Sequence, residues 1–200
     1  EQIRPVLAAG KPVFIDKPLA CSVSDAEALL DAAEDAGTPL LSASALRWQT
    51  DTVMLKARLA YVEGPLSLRG YGTWYPDSEY GGAIFYAIHT LELMQELAGP
   101  AWSDLRLERG DEPVVSYRAG STEVAMAFRK LGASGSSSFG VSVTSPRLRF
   151  EAPISLPADY MLPVVDRIAE MLRTGRSSMS RDSLLAPVRM MEEINALLES

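Results

Sequence analysis

Between Trp102 and Ala152 the apolar residues of this chain fall into a period of two, and that pattern limits the fold more than any other. Leu105/Leu107, Val115/Tyr117, Val124/Met126/Phe128, Phe139/Val141/Val143 and Leu148/Phe150 each mark one face of an extended segment. Glycine- and serine-bearing turns separate them, at Gly110-Asp111, Ala119-Gly120 and Gly132 to Ser138. Connections this short demand antiparallel pairing, with the Ser134 to Ser138 tract read as a hairpin tip. Leu66 to Tyr75 adds one more alternating segment, followed by a "PDSEY" loop. The expectation is an α+β fold, a mostly antiparallel open sheet covered by helices on one face.

Helical periodicity flanks the sheet on both sides. Thr50 to Val62 carries Val53, Met54, Ala57, Leu59, Ala60 and Tyr61 and stops at Gly64-Pro65. Gly81-Gly82 opens a helix to about Ala98, closed by Gly99-Pro100. Two more helices run from about Asp159 to Thr174 and from Ser183 to Leu198. The first 45 residues have another texture. Glu1 to Ala9 reads as a helix end, with Gly10 after it, and Val13 to Ile15 as a short buried strand. Ser24-x-x-Glu27 has the form of a capping box, and the helix it starts runs to about Ala36 before Gly37. "PLLSASA", Pro39 to Ala45, is a second buried strand. Strand, helix, strand is the closing unit of a parallel α/β sheet. Two strands do not make a stable parallel sheet alone, so further sequence is expected upstream of Glu1.

The first of these strands ends at Asp16-Lys17-Pro18. Pro18 biases Lys17 away from helical dihedrals, so the lysine leaves the strand end in a set direction. Carboxyl ends of strands in open α/β sheets are where ligands bind, and a lysine beside an acid there suits proton transfer. The plainer alternative is a solvated lysine at a surface strand end. On the helix after Gly81-Gly82, Ile84, Ala87, Ile88, Leu91, Met94 and Ala98 form the core stripe. His89 lies beside it, with Phe85, Glu92 and Glu96 on its own side, and Glu92 is within reach to orient or charge the imidazole. A satisfied half-buried histidine fits that geometry equally well.

Composition excludes several classes. The net charge of −7 is wrong for nucleic acid, and the arginine groups Arg147/Arg149 and Arg173/Arg176/Arg181 read as solvated strand and helix ends. One His and one Cys cannot furnish a His/Cys zinc site, so no metal is expected. The lone Cys21 fits a reducing compartment such as the cytoplasm. No apolar run approaches the roughly 18 residues of a membrane span. There is no P-loop and no G-x-S-x-G elbow.

"GKPVFIDKPLA", Gly10 to Ala20, resembles the G-K-x-V-x-x-E-K-P segment of the Gfo/Idh/MocA family of nicotinamide-dependent oxidoreductases, with Asp16 where glutamate is commoner. The glycine pair leading into His89 resembles that family's second signature, a helix bearing D-x-x-x-H, except that Phe85 stands in place of the acid. The order of elements agrees along essentially all 200 residues. The resemblance implies a remnant of a dinucleotide-binding Rossmann domain at 1–45 and a C-terminal substrate-binding and oligomerising domain at 46–200. It implies hydride transfer on a sugar, cyclitol or related polyol, with Lys17 and His89 catalytic and Asp16, Lys17 and Pro18 against the cofactor. Arg47, Trp48, Trp74 and Tyr75 are by position candidates for the substrate pocket wall, with plain packing the equal alternative for each, and Tyr86 or Glu92 for the function of the missing acid. NAD or NADP is the expected cofactor of the full-length protein. None is expected on this chain alone, because no G-x-G-x-x-G precedes a helix: Gly70-Tyr71-Gly72 sits in a strand and Gly132 to Gly140 in a hairpin. Family members dimerise through the sheet, and mild outward residues such as Ala125, Ala127, Ser138, Ser142 and Thr144 suit a homodimer here. Phe85 favours the alternative, a non-catalytic relative kept for binding or assembly.

Overall fold

The computed structural model describes residues 3–75, 79, 84–130 and 138–200. The Gly81-Gly82 pair, most of the "PDSEY" loop and the Gly132 to Ser137 stretch lie outside the described residues. Along the chain come α1 (Arg4–Ala8), β1 (Val13–Asp16), α2 (Val23–Asp35), β2 (Leu40–Ala43) and a 3₁₀ turn (Ala45–Trp48). Then follow α3 (Thr50–Leu59), β3 (Ser67–Trp74), α4 (Ile84–Ala98), β4 (Ser103–Glu108), β5 (Val114–Ala119) and β6 (Thr122–Lys130). The last elements are β7 (Phe139–Ser145), β8 (Leu148–Ile154), α5 (Leu162–Thr174) and α6 (Arg181–Glu199).

β1 and β2 pair in parallel, from Val13 opposite Leu40 to Asp16 opposite Ala43. The larger sheet has the order β4-β5-β6-β3-β7-β8. All its pairings are antiparallel except that of β3 with β6. This corrects one expectation: β6 and β7 do not form a hairpin, because β3 lies between them. Period-two patterning says which face a residue takes but nothing about which strand sits beside which. The glycines of β3 suit it to the centre. A Cβ at Gly72 would lie 1.9 Å from Thr90 Oγ1, and one at Gly70 2.5 Å from Met94 Sδ. With no side chain at either position, α4 can lie directly on the strand.

α4 is accordingly buried on nearly every side, and Ala87, Leu91, Leu93 and Met94 join Leu68, Met126, Phe128 and Val141 in the main core. A second cluster gathers Leu7, Val13, Leu19, Leu30 and Leu40 around the β1/β2 pair. α6 serves both: Leu184, Leu185 and Val188 pack into the smaller cluster, while Met190, Met191 and Ile194 pack into the larger. One amphipathic helix thus packs against both clusters, and Arg181 and Arg189 add ion pairs to α2.

Three local expectations shift. The cap of α2 is Ser22, whose Oγ accepts the Asp25 N–H at 3.2 Å, so the helix is capped two residues earlier than Ser24-x-x-Glu27 suggests. α3 buries Thr52, Leu55 and Leu59, leaving Val53, Met54 and Tyr61 exposed. Its length admits two apolar stripes, and packing on α4 and the 3₁₀ turn selects between them. α5 begins at Leu162 because Asp159 to Met161 form a turn that donates Leu162 N–H to the Asp159 carbonyl.

Candidate active site at two strand ends

The register that sets Asp16 opposite Ala43 makes Lys17 and Ser44 the residues that leave two neighbouring strand ends. α4 crosses these ends. Lys17 Nζ donates to the Phe85 carbonyl at 2.5 Å and lies 3.6 Å from the centroid of the Phe85 ring and 5.8 Å from that of Tyr86. One turn along α4, His89 Nδ1 is 2.7 Å from Ser44 Oγ. The Lys17-Pro18 peptide bond is cis.

Lys17 is only 6% exposed. Burial lowers its pKa from the usual lysine value, against the opposing charges of Asp16 and Glu92. Burial also pushes the His89 imidazole down to about 3, with the Lys17 charge acting in the same direction. At neutral pH His89 is therefore an uncharged ring. It lines a cavity of about 180 Å³ together with Ser44, Leu46, Tyr86, Phe139, Leu156 and Tyr160. These walls are mainly apolar, with a few hydroxyls to orient a ligand, the usual character of a small-molecule site.

Glu92 does not reach His89 as the spacing suggested. Its Oε2 accepts the Ser44 N–H at 2.8 Å and Arg47 Nε at 2.6 Å, so it anchors the start of the 3₁₀ turn. Ser44, arriving from another element, takes the place beside the imidazole. Arg47 is committed to Glu92 and, at 3.1 Å, to Glu96, and its side chain does not line the cavity. Trp74 is packed in the main core on Phe128, with ring centroids 5.5 Å apart. Trp48 is half-buried under the Arg167 guanidinium. Tyr75 meets Tyr86 edge to face at 5.9 Å, which carries it to the rim of the site. Lys17, His89, Tyr86 and Tyr75 are thus brought together, Arg47 and Glu92 brace them, and Trp48 and Trp74 pack elsewhere.

Ser44, Leu156 and Tyr160 were missed in the sequence. For Ser44 a signal existed, because a hydroxyl inside the apolar run "PLLSASA" needs a partner once buried. Among the described residues no group of three or more His, Cys, Asp or Glu could hold a metal ion, and no helix is long and apolar enough to cross a membrane.

Residues 1–44 match the family model GFO_IDH_MocA, described as an oxidoreductase family with an NAD-binding Rossmann fold. The chain has the Gfo/Idh/MocA oxidoreductase fold. A Gfo/Idh/MocA family oxidoreductase from Vibrio cholerae superposes with a TM-score of 0.73 at 18% identity, over 98% of this chain and 75% of that one. For a probable dehydrogenase from Thermotoga maritima the TM-score is 0.81 at 15% identity, over 99% and 74%. For myo-inositol dehydrogenase from Lactobacillus casei, solved with NAD(H) and myo-inositol, it is 0.80 at 12% identity, over 97% and 70%. A comparison with curated proteins finds no match. Within the Gfo/Idh/MocA fold, β1, α2 and β2 fall inside the matched residues, and Lys17 directly follows β1.

Proposed function

We propose that this chain is the greater part of an NAD(P)-dependent oxidoreductase that transfers hydride to or from a sugar, cyclitol or related neutral polyol. The observation that carries the reading is the meeting of Lys17 and His89 at adjacent strand ends, beside a cavity with no charged wall among the described residues. Relatives solved with NAD or with NAD(H) and myo-inositol agree with it.

The donor set fits the nicotinamide end of such a cofactor, with Asp16, Lys17 and Pro18 at the carboxyl end of β1. The phosphates would be held elsewhere. The N-terminus of α2 is taken, because Ser22 Oγ accepts the Asp25 N–H and Glu192 Oε1 accepts the Val23 N–H. The bound nicotinamide supplies the hydride chemistry. This chain's residues orient the substrate and handle its hydroxyl proton, with Lys17 as the proton carrier and Tyr86 and Tyr160 as cavity hydroxyls. We read 1–45 as part of the nucleotide-binding domain and 46–200 as the substrate domain, in a cytoplasmic protein.

For partners we propose a homodimer through the free face of the six-stranded sheet. Gly70 and Gly72 face α4, so Tyr71 and its register partner Ala127 face away from it. Ala125, Ala127 and Ser142 form a mild centre, and exposed Arg69, Arg118, Glu123 and Arg149 form a charged surround, as in a protein–protein interface.

One observation favours a non-catalytic relative. The Phe85 carbonyl and ring together occupy the Lys17 ammonium. Melting the intact protein with NAD(H) and NADP(H) separates the readings. A cofactor at 100 times its Kd adds about 2.7 kcal/mol, or roughly 5–10 °C for a protein near this size. No shift with either cofactor refutes the oxidoreductase.

A further inference from the structure

Ser44 is 1% exposed, and its hydroxyl oxygen accepts the Leu46 N–H at 3.2 Å. A hydroxyl has a single proton to give, and a buried donor is almost always given an acceptor. The Ser44 N–H already goes to Glu92 Oε2. Among the described residues, the acceptor that remains for the hydroxyl proton is His89 Nδ1, at 2.7 Å. A nitrogen that accepts carries no proton of its own, so the proton of a neutral imidazole stands on Nε2.

We infer that Ser44 is a positioning residue that fixes His89 as the Nε2–H tautomer, so that His89 offers the cavity a hydrogen-bond donor while proton transfer falls to Lys17. Nε2 is on the far side of the ring from Ser44, and the ring lines the cavity beside Tyr86 and Tyr160. The charged groups around it agree with a neutral ring. Lys17 repels a second positive charge, Glu92 is engaged by Arg47 and Ser44, and Glu96 by Arg47 and Lys56. An uncharged imidazole cannot release its one proton without becoming an anion, so His89 stabilises charge on the reacting oxygen and does not carry its proton. Burial lowers the Lys17 pKa, so Lys17 is the group placed to take the proton that a substrate hydroxyl loses. The catalytic meaning rests on the oxidoreductase reading above; the tautomer does not.

Nitrogen-15 NMR of histidine-labelled protein reads the tautomer directly, and a single histidine in these 200 residues keeps the spectrum simple. A His89→Gln sample assigns the signal. The expected spectrum at neutral pH has a protonated Nε2 and a bare Nδ1. Ser44→Ala lowers the ratio of the two tautomers about 5–10-fold, the value of one hydrogen bond, and Ser44→Thr restores it. A proton on Nδ1 in the wild type, an imidazolium at neutral pH, or a ratio untouched by Ser44→Ala overturns the inference. Should Ser44→Ala fail to fold, the wild-type spectrum decides alone. An Nε2–H tautomer in a protein that turns over no polyol upholds the positioning and removes the catalytic role of His89.

Discussion

Arg47→Met is the substitution whose cost the structure determines most closely. The Arg47 and Glu92 side chains are each 4% exposed. Glu92 Oε2 takes Arg47 Nε at 2.6 Å and the Ser44 N–H at 2.8 Å. Methionine keeps the stem's volume and removes the charge, leaving a buried carboxylate with one neutral donor. Breaking a buried pair by deleting one partner costs about 3–5 kcal/mol, most of it the penalty on the charge left behind. Glu96 adds little, since it is more exposed and keeps Lys56. For a chain of this size that is roughly 6–20 °C in Tm. Urea unfolding is the assay, with the midpoint falling and m unchanged. Adding Glu92→Leu to Arg47→Met should recover part of the loss, because the stranded charge is gone; the Ser44 N–H, left without its acceptor, still costs about 1–3 kcal/mol. A single-mutant loss under about 1 kcal/mol, or a double mutant worse than the sum of its parts, would refute the reasoning.

Two further outcomes follow from the same contacts. The folded-state pKa of His89 is about 3 against 6.5 for the free side chain, so the unfolded chain binds the extra proton between those values. Stability is complete above about pH 6.5 and falls as pH drops toward 3, by at most about 1.4 kcal/mol per unit. His89→Gln should flatten the slope between pH 7 and 5 in urea titrations; equal slopes would contradict a desolvated imidazole. Ala127→Glu should dissociate the dimer in light scattering while the protomer still unfolds cooperatively, and a folded protein that stays dimeric, or is monomeric before mutation, would contradict the proposed interface.

The sheet-and-helix class was legible because period two and period 3.6 separate cleanly at Trp102. The order of the strands was not. β3 is separated from β6 by α4 and two further strands, and nothing local in Leu66 to Tyr75 says that it slots between β6 and β7. The glycines that admit it, Gly70 and Gly72, read as ordinary strand glycines until Thr90 and Met94 are set against them. At the site, Lys17 was legible because Pro18 and a strand end fix its direction. Glu92 was misassigned because helical spacing reports neighbours on one helix, and the imidazole's partner came from another element. Arg47 and Trp74 lie near strand ends, where a pocket wall is expected, yet both face inward to a charge pair and to the core.

Lys17 is proposed to carry the substrate proton at a nicotinamide site. The most direct test is the rate of reduced nicotinamide formation by the intact protein with neutral sugars and cyclitols, comparing wild type with Lys17→Met. Both proteins must share a melting temperature to within a few degrees. The expected result is turnover with at least one such polyol and a fall of roughly 10²–10⁴ in kcat for the variant, the usual value of a positioned acid–base group. Turnover within a few-fold of wild type in a folded Lys17→Met protein would contradict the account.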